Sequence, residues 1–299
     1  MFFLPKKRVI VHNGSFHTDD IFAVASLSLL LAGKIKIIRT RDQKIISKGD
    51  YVVDVGGIYD YKTNRFDHHQ RGGGGKRENG VSYASFGLVW KHYGEKISGG
   101  KEIAEIIDKK LVAPVDAFDN GEGELKEILP SVFPYTINEI IDAFNLSSLE
   151  IKNSVKSDKT FKTAVSVAKK LLEREIQWAK VRLEAGEIVK ACYEKAVDKR
   201  IIVFEEECPF EESIGRYEEP LFVIYQYQDG NWSAKAVRKN SHTFESRVLF
   251  PESWAGKRDR ELVDASGVPD AVFCHNKRFM AIAKSKGGAL ALAQKALRG

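Results

Sequence analysis

Residues 9–38 read VIVHNGSFHTDDIFAVASLSLLLAGKIKII, and the order of patterns in this stretch decides the fold. Val9-Ile10-Val11 is a short apolar run that stops at His12-Asn13-Gly14, as a buried strand stops at a turn. Residues 19–32 are rich in Ala, Leu and Ser and predict a helix that ends at Gly33. Residues 34–38 then alternate charged and apolar side chains, the signature of a half-buried strand. Tyr51-Val52-Val53 is a further buried strand, which delivers Asp54 to its carboxyl end before Gly56-Gly57. Helices are expected over residues 82–92 and 102–112. Strand and helix in alternation predict an α/β fold whose N-terminal sheet is mostly parallel and flanked by helices.

Further along, Val165, Ala168, Leu172, Ile176, Ala179 and Leu183 recur at steps of three or four. They predict a long connector helix within residues 159–199, containing Gly186 but no proline. Ile201-Ile202-Val203-Phe204 opens a new set of strands, continued at 221–227, 232–237, 272–273 and 280–282, with a closing helix over 288–297. The expected organisation is a catalytic domain over 1–158, the connector over 159–199 and a smaller α+β domain over 200–299. Gly72 to Gly75, followed by Lys76-Arg77-Glu78-Asn79-Gly80, predicts a flexible loop, either a plain surface loop or a lid beside His69.

Composition narrows the class. A chain of 299 residues, 43% of them hydrophobic, can bury two cores of ordinary size. The formal charge of +6 is mild and spread along the chain, so it tolerates a polyanionic substrate without indicating one. Cys192, Cys208 and Cys274 are far apart and form no CxxC pair, which argues against a zinc finger or a disulfide framework. The start, with a short apolar run before Pro5 and then Lys6-Lys7-Arg8, lacks the pattern of a signal peptide. No stretch reaches the roughly 20 apolar residues that span a bilayer. The expectation is a soluble cytoplasmic protein, off the membrane, with homo-oligomerisation left open.

The chemistry gathers in the first half. Of the seven histidines, His12, His17, His68 and His69 stand in the first 70 residues, beside Asp or Gly at strand ends. His12 to Asp20 places two imidazoles and a carboxylate on one short loop, and Asp54, Asp67-His68-His69 and Asp119-Asn120-Gly121 follow other elements. In open α/β sheets ligands bind beyond the carboxyl ends of the strands, where these segments can meet. A structural role for so many buried charged groups would cost several kcal/mol unless they were paired. Imidazoles mixed with carboxylates and no thiolate suit Mn²⁺ or Mg²⁺. The ligand number exceeds one tetrahedral ion, so two ions sharing an aspartate are expected, an arrangement that serves phosphoryl transfer.

The chain resembles the DHH phosphoesterase superfamily and, within it, the metal-dependent protein hydrolase family that includes the melanocyte-proliferation-gene exonuclease. The resemblance rests on His12-Asn-Gly-Ser-Phe-His17-Thr-Asp19, Asp54-Val-Gly-Gly57 and Phe66-Asp67-His68-His69-Gln70-Arg71-Gly72. It continues in the segments 85–94, 115–121, 247–256 and 272–275. It implies a two-domain phosphoesterase with two Mn²⁺ or Mg²⁺ ions in the N-terminal domain and substrate in the cleft between the domains. Carried over by position, it implies His12, His17, Asp19, Asp54, Asp67, His68 and Asp119 as metal ligands, with Asp116 competing for the last role. Asp67, His68 and His69 are the implied catalytic residues. The wider superfamily usually has aspartate where His17 stands, so metal affinity and identity can differ here.

Arg247, Arg258 and His275 in the second domain, with Gln70 and Arg71 beside the signature, are the substrate-binding candidates. Arginine suits phosphate through its bidentate fork. Trp232 and Trp254 are candidates for stacking on bases, with core packing as the alternative. Lys286-Gly287-Gly288 either offers backbone N–H groups to an anion or is a turn and helix cap. The expected activity is hydrolysis of phosphodiesters, foremost 3′ to 5′ exonuclease action on RNA or short oligonucleotides. The alternatives are a pyrophosphatase, a cyclic-dinucleotide phosphodiesterase or a non-catalytic metal-binding scaffold.

Overall fold

The structure, a computed structural model, describes residues 5–147, 150, 154–206, 208–227, 229–240 and 243–298. The apolar run before Pro5, weighed above as a leader, lies outside the described residues. The chain divides into two compact units between Ala179 and Lys180.

In the first unit the elements run β1 (Lys7–Val11), α1 (Thr18–Leu30), β2 (Ile35–Arg39), α2 (Gln43–Ile46), β3 (Tyr51–Val53), β4 (Tyr59–Asp60) and β5 (Arg65–Phe66). They continue with α3 (Ser85–Ser98), α4 (Lys101–Ile107), a π-type turn over Asp108–Val112, α5 (Ala113–Asp119), α6 (Ile137–Asp142) and α7 (Ser154–Lys195). The sheet order is β2-β1-β3-β5-β4. β1 pairs parallel with β2 and β3, and β3 parallel with β5, while β4 is antiparallel to β5. The mostly parallel sheet expected from the alternation is therefore present, with an antiparallel strand at one edge.

Both faces of this sheet are covered, as parallel sheets require. Successive side chains alternate between faces. Val9 and Val11 join a core built with α1, α3 and α7, whereas Ile10 and Val52 face a smaller cluster with Ile46 and Val55. The buried stripe Phe161, Ala164, Val165, Ala168, Leu172, Ile176 and Ala179 seats the first half of α7 in the larger core. The second half carries Val189 into a core of the other unit. The 42-residue α7 thus contributes to a core in each unit.

The second unit continues with β6 (Ile201–Val203), α8 (Glu211–Ile214), β7 (Phe222–Gln226), β8 (Trp232–Ala236), α9 (Asp259–Ser266), β9 (Ala271–Cys274), β10 (Met280–Ala283) and α10 (Lys286–Ala296). Its sheet has the order β6-β7-β8-β10-β9, parallel only between β6 and β7. Phe222 and Ile224 point to one core, Val223 and Tyr225 to another, so this sheet too is covered on both faces. No helix among the described residues is long and apolar enough to cross a membrane.

The glycine-rich segment after His69, expected as a loop, is a mostly exposed turn closed by its own backbone hydrogen bonds. Gly73 N–H donates to Gln70 O, Tyr83 N–H to Gly75 O and Arg77 N–H to Val81 O, closing a hairpin-like turn. Ser82 donates from N–H and Oγ to Glu122, just beyond α5, at 2.9 and 2.6 Å. Gly74 is buried here, and a Cβ on it would stand 3.0 Å from Tyr83 O. Glycine serves close packing at this position.

Candidate metal centre

The three adjacent parallel strands β1, β3 and β5 end, respectively, in His12, Asp54 and Asp67-His68-His69. Asp54 has φ of +53°, a left-handed conformation that aspartate tolerates better than most residues. It turns the chain directly after β3. The first turn of α1 supplies Asp19 and Asp20, and the last residue of α5 is Asp119. Carboxylates at the start of α1 sit at the positive end of its dipole, whereas Asp119 at a helix C-terminus is opposed by it. A continuous helical path from Lys101 carries α5 to Asp119, so this residue ends a helix and does not sit in a separate loop.

These groups form a tight cluster. His12 Nε2 stands 2.7 Å from Asp20 Oδ2 and 3.2 Å from Asp54 Oδ2. His68 Nε2 stands 3.3 Å from Asp54 Oδ1, 3.2 Å from Asp119 Oδ2 and 3.9 Å from Asp19 Oδ2. That nitrogen is buried and makes no hydrogen bond of proper geometry, and Asp19 Oδ1 and Asp20 Oδ1 are likewise buried without a donor among the described residues. Buried polar atoms without partners are rare and call for an explanation. A divalent cation accepting these lone pairs supplies one.

Three groups of donor atoms, each within 4.8 Å of one another, have the size of a metal shell: His12, His17, Asp20 and Asp54; Asp54, His68 and His69; and His17, Asp19 and Asp119. Asp54 is common to the first two, and His17 to the first and third. Asp67 lies outside all three. Its Oδ2 accepts from Gly57 N–H at 2.6 Å, and its Oδ1 meets His69 N–H at 3.0 Å and His69 Nδ1 at 2.8 Å. Asp67 therefore holds His69 and the glycine turn through these contacts.

The electrostatics agree with a cation site. Burial would lower the His12 pKa, but hydrogen bonds to Asp20 and Asp54 outweigh it and push the imidazole up to about 10. Burial, followed by the charges of Asp54, Asp119 and Asp20, holds the Asp19 carboxyl well above the usual range. Burial also raises Asp20 and Asp119, against the pull of His12 and His68 respectively. Burial opposes ionisation of Asp54 too, yet the adjoining His12 and His68 imidazoles hold it below the ordinary range. These shifts favour protons on the groups around Asp54, and a cation entering the cluster would compete with them.

Three residues absent from the sequence expectation enter the site. Asp20 is a neighbour of the His12 imidazole and also accepts from His17 N–H at 3.1 Å, so it orders the start of α1. Its aspartate beside Asp19 was visible, but only the helical turn places it on the cluster side. Ser85, at the start of α3, donates its N–H to Asp19 at 3.3 Å and its Oγ to Asp54 at 3.0 Å. Arg41 joins Asn13, Gln43 and Gly56 in lining an open cleft of about 900 Å³ over His12, His17 and Asp54. Its Nη2 is 3.3 Å from His12 Nδ1. Arg41 carried no periodic or motif signal, and Ser85 opens the segment 85–94 of the resemblance without a site role having been read for it.

Asp116, the competitor of Asp119, is fully buried and held elsewhere. It pairs with Arg77 Nη2 at 2.8 Å and accepts from Gly87 N–H at 2.9 Å. Arg77 also forks to Asp108 at 2.8 and 2.9 Å, so this network braces α5. Gln70 donates to Gly73 O at 2.6 Å, inside the glycine turn, while Arg71 is exposed.

In the second unit Arg247, expected to grip phosphate, donates instead to the carbonyls of Tyr217, Glu218, Pro220 and Gly215. Those bonds satisfy a turn that has few other donors, and they occupy most of its fork. Arg258 lies over the Phe273 ring at 4.3 Å, and His275 Nδ1 accepts from Lys277 N–H at 3.0 Å. Trp254 is buried in the core, and Trp232 packs beside it. At Lys286-Gly287-Gly288 the cap alternative is the one present: Ser285 Oγ accepts from Gly288 N–H at 3.0 Å. The Asp270 carboxylate fills the space above, where a Cβ on Gly288 would stand 2.1 Å from it.

Comparison with known proteins bears on the whole chain. The family model MYG1_exonuc, described as "Uncharacterised protein family (UPF0160)", matches residues 8–297. The MYG1 protein of Dictyostelium discoideum is 31% identical over 97% of this chain and 96% of its own length. The MYG1 exonuclease of Homo sapiens is 31% identical over 97% of this chain and 85% of its own length. The MYG1 protein of Chlamydia muridarum is 32% identical over 94% of this chain and 93% of its own. With the match running through both units and every segment of the cluster, the chain belongs to the MYG1 exonuclease family.

Proposed function

We propose that this protein is a metal-dependent phosphodiesterase that removes nucleotides from the 3′ end of RNA or short oligonucleotides, using two divalent ions, Mn²⁺ or Mg²⁺. One observation carries the reading: three donor groups are linked to one another through Asp54 and His17, and His12, His17, Asp54 and His69 of these groups line one open cleft. The exonuclease names of relatives such as the human protein support the substrate class. A pair of divalent ions supplies Lewis-acid activation of water and neutralises charge on a transferring phosphoryl group.

The protein's own groups have distinct tasks. Asp54 holds the centre of the cluster, with Ser85 Oγ fixing its orientation. Asp67 fixes His69 through its backbone and its ring, and leaves that ring exposed toward the cleft as the proton carrier for the leaving oxygen. Arg41, with no carboxylate partner among the described residues, takes a phosphate oxygen at the cleft mouth.

The test is incubation of 5′-labelled single-stranded RNA with Mn²⁺, with Mg²⁺ and with EDTA. The expected result is a ladder that shortens from the 3′ end with either ion, is absent in EDTA and is lost in Asp54→Asn. Hydrolysis of pyrophosphate or a cyclic dinucleotide with RNA left intact would overturn the substrate assignment. Undiminished cleavage of RNA in EDTA would overturn the metal chemistry.

A further inference from the structure

The second unit carries a basic, aromatic surface groove of about 610 Å³ that the cluster does not use. It lies by the turn between β9 and β10 and the end of β8, and no carboxylate is among its lining residues. Phe244 is 88% exposed there, an unusual situation for a large apolar ring. The Arg238 guanidinium lies 4.8 Å from the centre of that ring. The His275 and Phe279 rings meet tilted, with centres 4.3 Å apart. Lys235 is committed to Glu211 at 2.7 Å, whereas Arg238 and Lys277 have no ion pair among the described residues.

We infer that this groove binds a single-stranded nucleic acid, stacking a base on Phe244 and taking the flanking phosphates on Arg238 and Lys277. Rings offer a face to every base, and cations follow the backbone, which is the general recipe for binding single strands without sequence preference. Free cations, no facing carboxylate and an exposed ring match the charge and the stacking faces of a polynucleotide. A protein partner would satisfy the ring but leaves two uncompensated cations unexplained. The inference deepens the nuclease reading and rests on it for the choice of RNA. It gives the second unit a substrate-binding surface of its own.

The test is fluorescence anisotropy of a labelled 12-nucleotide RNA with the full chain in EDTA, so that binding is read without cleavage. Phe244→Ala is expected to weaken binding about tenfold, while Phe244→Trp retains it. Arg238→Ala and Lys277→Ala should each lower the slope of log affinity against log salt by about 0.7. An abasic strand should bind the wild type as weakly as normal RNA binds Phe244→Ala. Melting curves that match the wild type separate these effects from unfolding. RNA affinity unchanged in all three alanine variants overturns the inference, as does wild-type protein that binds no RNA. Loss of a dimer on Phe244→Ala, with RNA affinity intact, would make the groove an interface between copies and also overturn it. Because cleavage is scored separately, a protein that binds through the groove yet cuts no RNA would refute the nuclease reading alone.

Discussion

The two sheets of this protein have five strands each and opposite uses of their strand ends. In the first, three neighbouring parallel strands bring their carboxyl ends to one edge, and those ends carry His12, Asp54 and Asp67. In the second, β7, β8, β10 and β9 are antiparallel, so carboxyl ends alternate between edges and no donor cluster forms among the described residues. Polar groups there close the structure instead: Arg247 serves four carbonyls and Asp270 fills the cap of α10. Strand direction, more than residue content, decides where chemistry can be concentrated.

That contrast can be broken by substitution, beginning where the effect is largest. Asp54→Asn removes the carboxylate common to two donor groups, and activity should fall on the order of 10³-fold with the melting temperature of the metal-free protein nearly preserved. Arg77→Ala strands the buried Asp116 and loosens α5; the loss of stability, read by urea unfolding, should be about 3–5 kcal/mol. Arg247→Ala in the other sheet should cost about 2–3 kcal/mol by the same measurement and leave Mn²⁺ affinity in the first sheet unchanged. Arg41→Ala should raise KM about tenfold at nearly constant kcat, as expected when a ground-state phosphate contact is lost.

The smallest effect expected is a dependence on pH. In EDTA the His12 imidazole keeps its proton up to about pH 10 in the folded protein, against 6.5 for the ordinary group. Its contribution to stability is therefore complete below pH 6.5 and is lost as pH rises toward 10. Metal must displace that proton, so Mn²⁺ should raise the melting temperature more at pH 8.5 than at pH 6. An equal rise at both values would show that His12 does not take part.

Much of the first sheet was legible because its signals are local. Val9-Ile10-Val11 and Tyr51-Val52-Val53 are strands bounded by turn residues, and each places its donor one residue later. The stripe on α7 was legible for the same reason, although not its division between two cores, which depends on partners remote in sequence. Asp20 and Ser85 could not be found by spacing, since their roles arise where α1 meets α3. Asp116 and Asp119 look equivalent in sequence; only the arginine opposite one of them separates structure from site. The bonds that close the glycine run were not legible because glycine permits close packing as readily as motion, and Glu122 lies some forty positions from the serine it holds.

The reading proposed above puts two divalent ions around Asp54, at the carboxyl edge of the first sheet. Titration of the purified protein with Mn²⁺, followed by electron paramagnetic resonance, tests it most directly. Two ions per chain, an exchange-coupled spectrum at saturation and loss of the coupling in Asp54→Asn are expected. One ion per chain with an uncoupled six-line spectrum, unchanged in that variant, would contradict it.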